Sequence, residues 1–242
     1  QGKYDINKPA PIPEWQKDER KKITTNDLLH MNSGLEWEEA YDKICDATKM
    51  LFIAEDMGRV QLEKPAAFAP NTHWNYSSGT SNLLSYILRK QFKTHQEYLD
   101  FWYAQLIDRI GMHSMLIETD MVGNYVGSSY GWATARDWAK FGLLYLHKGN
   151  WNGDQVFDPS WENYVSTPTN DSKEGYGAHF WLNAGGHFPA APRDMYSCNG
   201  YQGQKVFIIP SLDLVIVRMG LSDEGKYDVN ELLAGVIGSF KK

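Results

Sequence analysis

The pattern of apolar and polar positions changes near residue 174. Before this point apolar residues recur mostly at spacings of three and four, which is typical of amphipathic helices. After it, short β-branched or aromatic runs separated by turn residues predict strands at residues 177–183, 195–199, 205–209 and 212–219. The expected fold class is α+β: a mainly helical lobe over about residues 23–170, then an antiparallel sheet and a closing helix over about residues 175–242.

Helix starts are marked by a side-chain acceptor followed three residues later by an acid. This spacing occurs at Thr24 and Asp27, Thr94 and Glu97, Thr134 and Asp137, and Asp228 and Glu231. Two further helices are predicted. One begins near Ser77 or Ser78, because Leu83 and Ile87 recur at helical spacing, and a longer one covers residues 36–54.

The first 22 residues are rich in proline and charge. Pro9, Pro11 and Pro13 favour an extended path, so this segment is predicted to be a surface connection. The basic run from Lys17 to Lys22 is interrupted by acids and predicts a solvated loop.

Composition narrows the function classes. The 242 residues, 42% of them hydrophobic and 14% aromatic, predict a globular chain, taken here as a single domain over residues 1–242. A net charge of -6 argues against a nucleic-acid partner. No apolar run approaches the ~20 residues of a membrane span. The sequence does not indicate the cellular compartment of the protein.

The sequence gives little indication of a metal site or of disulfide bonds. Cys45 and Cys198 are too few for a zinc site or a disulfide framework, although a single bridge between them stays open. The seven histidines show no pair at i and i+4 with a third partner nearby. No metal and no cofactor are expected.

Tyr76 is the main candidate for chemistry. It lies just before the helix predicted from Ser77 or Ser78. A phenol there can donate and accept a proton, and the free amides and dipole of the helix end would stabilise negative charge on its oxygen. This suits a general base, although an aromatic side chain that packs beside a helix cap explains the same residue.

Four segments in order carry a resemblance to a known family. They are residues 23–35, with the sequence Ile-Thr-Thr-Asn-Asp-Leu-Leu-His-Met-Asn-Ser-Gly-Leu, then residues 76–84, 132–142 and 200–204, the last followed by Pro210. Together they resemble the serine β-lactamase and DD-peptidase superfamily. The resemblance is strongest to its class C β-lactamase-like and 6-aminohexanoate-dimer-hydrolase-like esterases and amidases.

The resemblance implies roles for individual residues. Tyr76 would be the general base, and the backbone N–H of Tyr201 would donate to an oxyanion hole. The residues expected to contact substrate are Ser78, Ser128, Ser129, Trp132, Asn199 and Gly200. On sequence alone, packing and turn roles explain Ser128, Ser129 and Trp132 as well, and a strand bulge explains Gly200.

The resemblance also implies a nucleophile that the given residues do not supply. Relatives use an S-x-x-K motif, with Ser as the acylated group and Lys assisting its deprotonation. The one match, Ser239 to Lys242, ends the last predicted helix and is not expected to be catalytic. The nucleophile is therefore expected upstream of Gln1, on a missing segment or a complementary chain, and the chain alone is expected to be inactive.

The function expected from the resemblance is hydrolysis of a small-molecule ester or amide through an acyl-enzyme. Ser78 stands where many relatives have Asn, so esters and small amides are candidates alongside β-lactams. Two alternatives stay open. One is a penicillin-recognising relative without turnover, and the other is an α/β-hydrolase with Gly127 to Gly131 as nucleophile elbow and His179 or His187 downstream.

Overall fold

The computed structural model describes residues 4–222 and 226–240, which form two compact units. Unit 1 comprises Gln1–Ile107 and Met115–Trp132, and unit 2 comprises Asp108–Ser114 and Ala133–Lys242. The boundary differs from the predicted one near residue 170. Helix Ala135–Leu146 packs on the strands of unit 2, so it belongs with the sheet.

Unit 1 is mainly helical. Its α-helices are α1 (Thr25–Leu29), α2 (Asp46–Phe52), α3 (Met57–Leu62), α4 (Ser78–Arg89) and α5 (His95–Trp102), the last continued by a π-helical turn at Tyr103–Ile107. Two short strands, β1 (Leu116–Ile117) and β2 (Gly131–Trp132), pair antiparallel. Complete capping boxes form at Thr24 with Asp27 and at Thr94 with Glu97, which confirms both predicted helix starts.

The helix predicted over residues 36–54 is wrong over its first ten positions. Only α2 is helical there, because residues 35 and 36 pair with another part of the chain. Leu35 bridges Ala66, and the Glu36 N–H donates to the Pro65 carbonyl over 3.0 Å. The segment that follows is not helical, and its Glu39 carboxylate reaches Ser78 at the start of α4.

The prediction of a surface connection over residues 1–22 holds only in part within the described residues 4–22: most side chains are exposed, including most of those from Lys17 to Lys22, but Ala10, Ile12 and Trp15 are buried. Two 3₁₀ helices occupy Pro13–Lys17 and Glu19–Lys22, and Trp15 is fully buried. Its indole N–H donates to the Leu62 carbonyl over 2.9 Å. Trp15 belongs to a core cluster with Ala10, Ile12, Ile23, Leu28, Leu35, Leu62, Leu83 and Ile87. The proline-rich segment therefore supports the buried face of α4.

Unit 2 contains a four-stranded antiparallel sheet in the order β5-β6-β7-β8. The strands are β5 (Trp181–Leu182), β6 (Tyr196–Asn199), β7 (Lys205–Ile209) and β8 (Leu214–Arg218), and a separate hairpin pairs β3 (Asn150–Trp151) with β4 (Asp154–Gln155). The first predicted strand, 177–183, shrinks to β5, because the Gly177 N–H and the Phe180 carbonyl close a turn and His179 has a φ of 60°. The other three predicted strands are confirmed with small changes at their ends.

Three helices complete unit 2: α6 (Ala135–Leu146), α7 (Ser160–Ser166) and α8 (Val229–Ser239). Helix α8 packs Leu233 and Ile237 against Phe207 and Ile216, which confirms that the closing helix covers a face of the sheet. Helix α6 approaches β7 and β8 at Gly142, where a Cβ would lie 2.6 Å from a Val215 methyl carbon.

The predicted capping box at Thr134 forms only in part. The Asp137 N–H donates to the Thr134 hydroxyl over 3.4 Å, but the Asp137 carboxylate pairs with Lys140 at 2.7 Å and accepts from the N–H and hydroxyl of Ser114. The Lys140 hydrogen bond, reinforced by Ser114, lowers the pKa of Asp137 to about 2. The carboxylate therefore ties α6 to the segment before β1.

Asp137→Asn should lower stability in a pH-dependent manner. Because the folded pKa lies below the usual value of about 3.9, the ionised carboxylate stabilises the fold fully above about pH 5, and this stabilisation is lost as pH falls towards 2. Urea unfolding at pH 7 should show a loss of about 1–2 kcal/mol that shrinks below about pH 4. Asp154→Asn, which removes an exposed pair with Arg109, is the control and should change stability by less than ~0.5 kcal/mol. A loss for Asp137→Asn that is equal at pH 7 and pH 2.5 would contradict the assignment.

Several sequence expectations concern bridges, metals and the chain end. Cys45 and Cys198 are both free, so no bridge joins them. Among residues 4–222 and 226–240 no group of three or more His, Cys, Asp or Glu side chains is placed to hold a metal ion. Within the same residues, no helix combines the length and apolarity needed to cross a bilayer. Lys242, which completes the S-x-x-K match at Ser239, lies outside the described residues.

Candidate functional site

The start of α4 places Tyr76 as the sequence predicts. Ser77 is the N-cap, and its hydroxyl accepts from the Thr80 N–H over 2.9 Å. Tyr76 is half-buried and directly precedes this cap. The buried face of α4 carries Leu83 and Ile87 into the core cluster that contains Trp15, so the helix end that bears Tyr76 is anchored by its own core.

A carboxylate that the sequence analysis did not single out lies at the same helix end. Glu39 Oε2 accepts from the Ser78 N–H and the Trp37 indole N–H, both over 2.7 Å. Glu39 Oε1 accepts from the Ser78 hydroxyl over 2.6 Å and from the Tyr41 hydroxyl over 2.8 Å. A negative charge at a helix N-terminus is stabilised by the helix dipole and the free amides. Ser78, a predicted substrate contact, is therefore held by Glu39.

The electrostatic environment of Tyr76 favours its neutral form. Burial, with the nearby negative charge of Glu39, raises the pKa of Tyr76 to about 12. Burial also raises the pKa of Tyr41, which is in contact with Ser78 and Glu39. A tyrosine with such a pKa accepts a proton at neutral pH only if a cation or another base offsets these effects.

Ser128 contacts α4, whereas the hydrogen bond of the Trp132 indole goes to Glu118. The Asn82 amide donates to the Ser128 hydroxyl over 3.1 Å, and Asn82 follows Ser78 by one helical turn on the same face of α4. Trp132 is 55% exposed, and its indole N–H donates to Glu118 over 2.7 Å. Ser129 is half-buried beside Ser128. The structure thus brings Tyr76, Ser78 and Ser128 to one helix.

The segment from Gly127 to Gly131 is not a nucleophile elbow. That motif needs a parallel strand before the serine and a helix starting at it. Here the segment leads into β2, the next helix begins at Ala135, and every strand pair in the described residues is antiparallel. The α/β-hydrolase alternative is wrong, and His179 and His187 lose the role it gave them.

In unit 2 the predicted oxyanion donor lies in the tight connection between β6 and β7. The Gly200 N–H donates to the Gln204 carbonyl over 2.8 Å, and residues 201–203 form a 3₁₀ turn with Tyr201 first. Gln202, the middle residue of this turn, has a left-handed backbone with a φ of 53° and a ψ of 36°, so the turn is not a regular 3₁₀ helix. A Cβ at Gly200 would lie 2.8 Å from the Gln204 Cβ, so the glycine is required by close approach.

The neighbours of this turn are polar or exposed. The Tyr201 side chain is 69% exposed, and the Asn199 side-chain oxygen accepts from the Ser197 hydroxyl over 3.1 Å. Arg218 donates to the Gly203 carbonyl over 2.7 Å and lies 3.7 Å from the Tyr227 ring centroid. Asn199, Gly200 and Tyr201 thus share one strand end, with Arg218 bracing the turn that follows.

Two surface clefts are described in unit 1, and Tyr76 lines neither. The larger, about 480 Å³, has Arg59, Arg89, Lys90 and Lys93 among its lining residues. The second, about 410 Å³, lies between Trp37, Phe68 and Asn75. Asn75, which directly precedes Tyr76 and lines the second cleft, donates to the Trp37 carbonyl over 3.1 Å.

Comparison with solved structures shows the same fold. A structure named as a 6-aminohexanoate-dimer hydrolase from Bacillus anthracis is 20% identical, with a TM-score of 0.76, and the match covers 98% of this chain and 66% of that chain. A family VIII carboxylesterase is 15% identical, with a TM-score of 0.70 and coverages of 98% and 77%. A class C beta lactamase from Rhodobacter sphaeroides is 14% identical, with a TM-score of 0.64 and coverages of 98% and 77%. This chain therefore spans about two thirds to four fifths of the length of these proteins.

The sequence was also compared with curated proteins and with profiles of protein families. No curated protein matches the chain. The profile of the Beta-lactamase family matches residues 1–232, which is nearly the whole chain. The predicted α+β fold and the predicted superfamily are both confirmed, and the chain belongs to the Beta-lactamase family.

Proposed function

We propose that this protein is part of a serine hydrolase that cleaves a small-molecule ester or amide through an acyl-enzyme, with a β-lactam among the candidate substrates. The nucleophilic Ser and its Lys lie upstream of Gln1 in this proposal. Attack by the Ser hydroxyl on the carbonyl carbon forms a tetrahedral intermediate, the leaving group departs with a proton, and water then hydrolyses the acyl-enzyme.

The position of Tyr76 carries the proposal. Its phenol precedes the N-cap of α4 in a chain of the Beta-lactamase family, and Ser78 follows it at the last position of the Y-x-S motif that the resemblance implies. In the proposed reaction Tyr76 takes the proton from the nucleophile and returns it to the leaving group. Its raised pKa agrees with this role only if the upstream Lys supplies positive charge beside the phenol.

The Tyr201 amide has a separate proposed role as oxyanion donor. It starts the 3₁₀ turn after β6, where Gly200 lets the backbone approach closely. A preorganised N–H aimed at a tetrahedral oxygen is worth roughly 3 kcal/mol in the transition state. Asn199 and Gly200, at the same strand end, are proposed substrate contacts in unit 2. The substrate contacts proposed in unit 1, on its own residues, are Ser78, Ser128, Ser129 and Trp132.

The substrate class is proposed from Ser78 and from named structural neighbours. The neighbours include a carboxylesterase, a 6-aminohexanoate-dimer hydrolase and a class C beta lactamase. Ser78 offers a short hydroxyl that Glu39 already engages, where many relatives have an amide. This favours esters and small linear amides over β-lactams.

A polypeptide that also carries the upstream segment tests the proposal. It should hydrolyse a p-nitrophenyl ester of a short acid and turn over a chromogenic cephalosporin more slowly. Binding of a penicillin without turnover of any ester would instead favour a silent penicillin-recognising relative. Absence of both would contradict the hydrolase proposal.

A further inference from the structure

Glu39 is placed at the start of α4 by contacts with three residues of unit 1, two on its own segment and one on the helix. Four donor groups surround its carboxylate: the Ser78 N–H and hydroxyl, the Trp37 indole and the Tyr41 hydroxyl, all within 2.6–2.8 Å. A carboxylate has about four acceptor sites, so these donors saturate it. Loss of the carboxylate is costly because Ser78 and Trp37 are buried and would lose this acceptor, whereas Tyr41 is 49% exposed.

The packing of Trp37 explains how Glu39 reaches α4. Trp37 is buried, and its ring lies against Gly79, where a Cβ would be 2.6 Å from a ring carbon. Only glycine therefore lets the indole lie this close to the first turn of α4. The indole N–H then faces Glu39, which lies two residues further along the chain.

Glu39 acts on Tyr76 in two ways. It holds Ser78, the second residue after Tyr76, by both its N–H and its hydroxyl. Its negative charge also contributes to the raised pKa of Tyr76, after burial. Tyr41 is the other titratable group coupled to the pair, since it donates to Glu39 and interacts with Tyr76.

We propose that Glu39 is a positioning residue of this site: its carboxylate fixes Ser78 in the first turn of α4, and its negative charge adds to the cost of ionising the neighbouring Tyr76 phenol. The part of this inference that concerns catalysis rests on the proposed function, in which the upstream Lys supplies a positive charge beside the Tyr76 phenol. The geometric and electrostatic parts concern residues of this chain alone.

Titration of Tyr76 tests the electrostatic part without any activity. A ring-fluorinated tyrosine at position 76 lowers the phenol pKa, so ¹⁹F NMR can follow its titration in the 242-residue chain while the protein stays folded. Glu39→Gln should move the titration midpoint down by about 1 pH unit. Glu39→Asp keeps the charge and should leave the midpoint near that of the unsubstituted protein.

Glu38→Gln is the matched control. Glu38 is exposed and pairs with Lys43, so this variant removes the same charge one residue away without touching Ser78. Its midpoint should equal that of the unsubstituted protein. An unchanged midpoint in Glu39→Gln, or an equal shift in Glu38→Gln or Glu39→Asp, would overturn the electrostatic role.

Kinetics in the longer polypeptide test the positioning part. Both Glu39→Gln and Glu39→Asp displace Ser78, so each should lower kcat for a p-nitrophenyl ester by at least ~10-fold with KM changed by less than roughly threefold. Rates equal to that of Glu38→Gln would overturn the positioning role. If the longer polypeptide hydrolyses no substrate, the proposed function fails, whereas the titration still decides the role of Glu39.

Discussion

Tyr76→Phe is expected to lower kcat/KM for an activated ester by at least ~100-fold in a polypeptide that carries the upstream segment, because general-base assistance contributes on the order of 10²–10⁴. The substitution removes one hydroxyl and keeps the ring that packs before the Ser77 cap. The helix start should therefore be preserved. Stopped-flow release of p-nitrophenol measures the acylation step directly.

Tyr86→Phe provides the matched control for this prediction. Tyr86 lies on the same helix, α4, and its ring contacts Lys90 at 4.8 Å, far along the helix from the Ser77 cap. Loss of its hydroxyl should leave kcat/KM nearly unchanged. A near-normal rate for Tyr76→Phe, or an equal loss in both variants, would remove Tyr76 from the mechanism.

Trp15→Ala is expected to destabilise the protein by about 3–5 kcal/mol, the range for truncation of a large buried aromatic side chain. Trp15 is fully buried among the apolar residues behind α4 and donates to the Leu62 carbonyl. The variant opens a cavity and also leaves that carbonyl without its indole partner. Because a domain is typically stable by only about 5–15 kcal/mol, this loss should be large in urea unfolding at 25 °C.

Trp132→Ala is the control for the cavity argument. Trp132 is 55% exposed and its indole N–H is bound to an exposed glutamate, so its removal opens no cavity. The expected loss is below ~1 kcal/mol. If Trp15→Ala destabilises no more than Trp132→Ala, the N-terminal segment does not belong to the core of unit 1.

The parts of the fold that depend on local interactions could be predicted from the sequence. The capping boxes at Thr24 and Thr94 use residues three apart, and both form as expected. Strand β7 matches its predicted bounds because Lys205–Ile209 is a short β-branched and aromatic run between turns. The start of α4 after Tyr76 was predictable for the same reason.

The parts that depend on distant residues could not be predicted. Residues 36–45 are not helical, and the pairing of Leu35 and Glu36 with residues 65 and 66 at the start of this segment is not revealed by helical periodicity. Trp15 is buried because it packs on residues that are distant in sequence, including Leu62 and Leu83. The prolines and charges next to it in the sequence indicate an exposed segment instead. At Thr134 the expected capping box lost its acid to Ser114 and Lys140.

The candidate site shows the same division. The position of Tyr76 just before a helix was predictable, because the residues that indicate the helix start follow it directly. Glu39 was not, because its partner Ser78 is 39 residues away and nothing in the local sequence marks the pair. The roles of Tyr76, Tyr201 and the substrate contacts stay predictions, since family membership fixes the fold and not the role of each side chain.

The location of the nucleophile tests the central claim most directly. Intact-mass analysis and peptide mapping after incubation with a fluorophosphonate or a p-nitrophenyl ester should find no adduct on the 242-residue chain. The same treatment of the polypeptide with the upstream segment should give one adduct, on the Ser of S-x-x-K. An adduct on the 242-residue chain, at Ser129 or any other residue, would contradict the proposed mechanism.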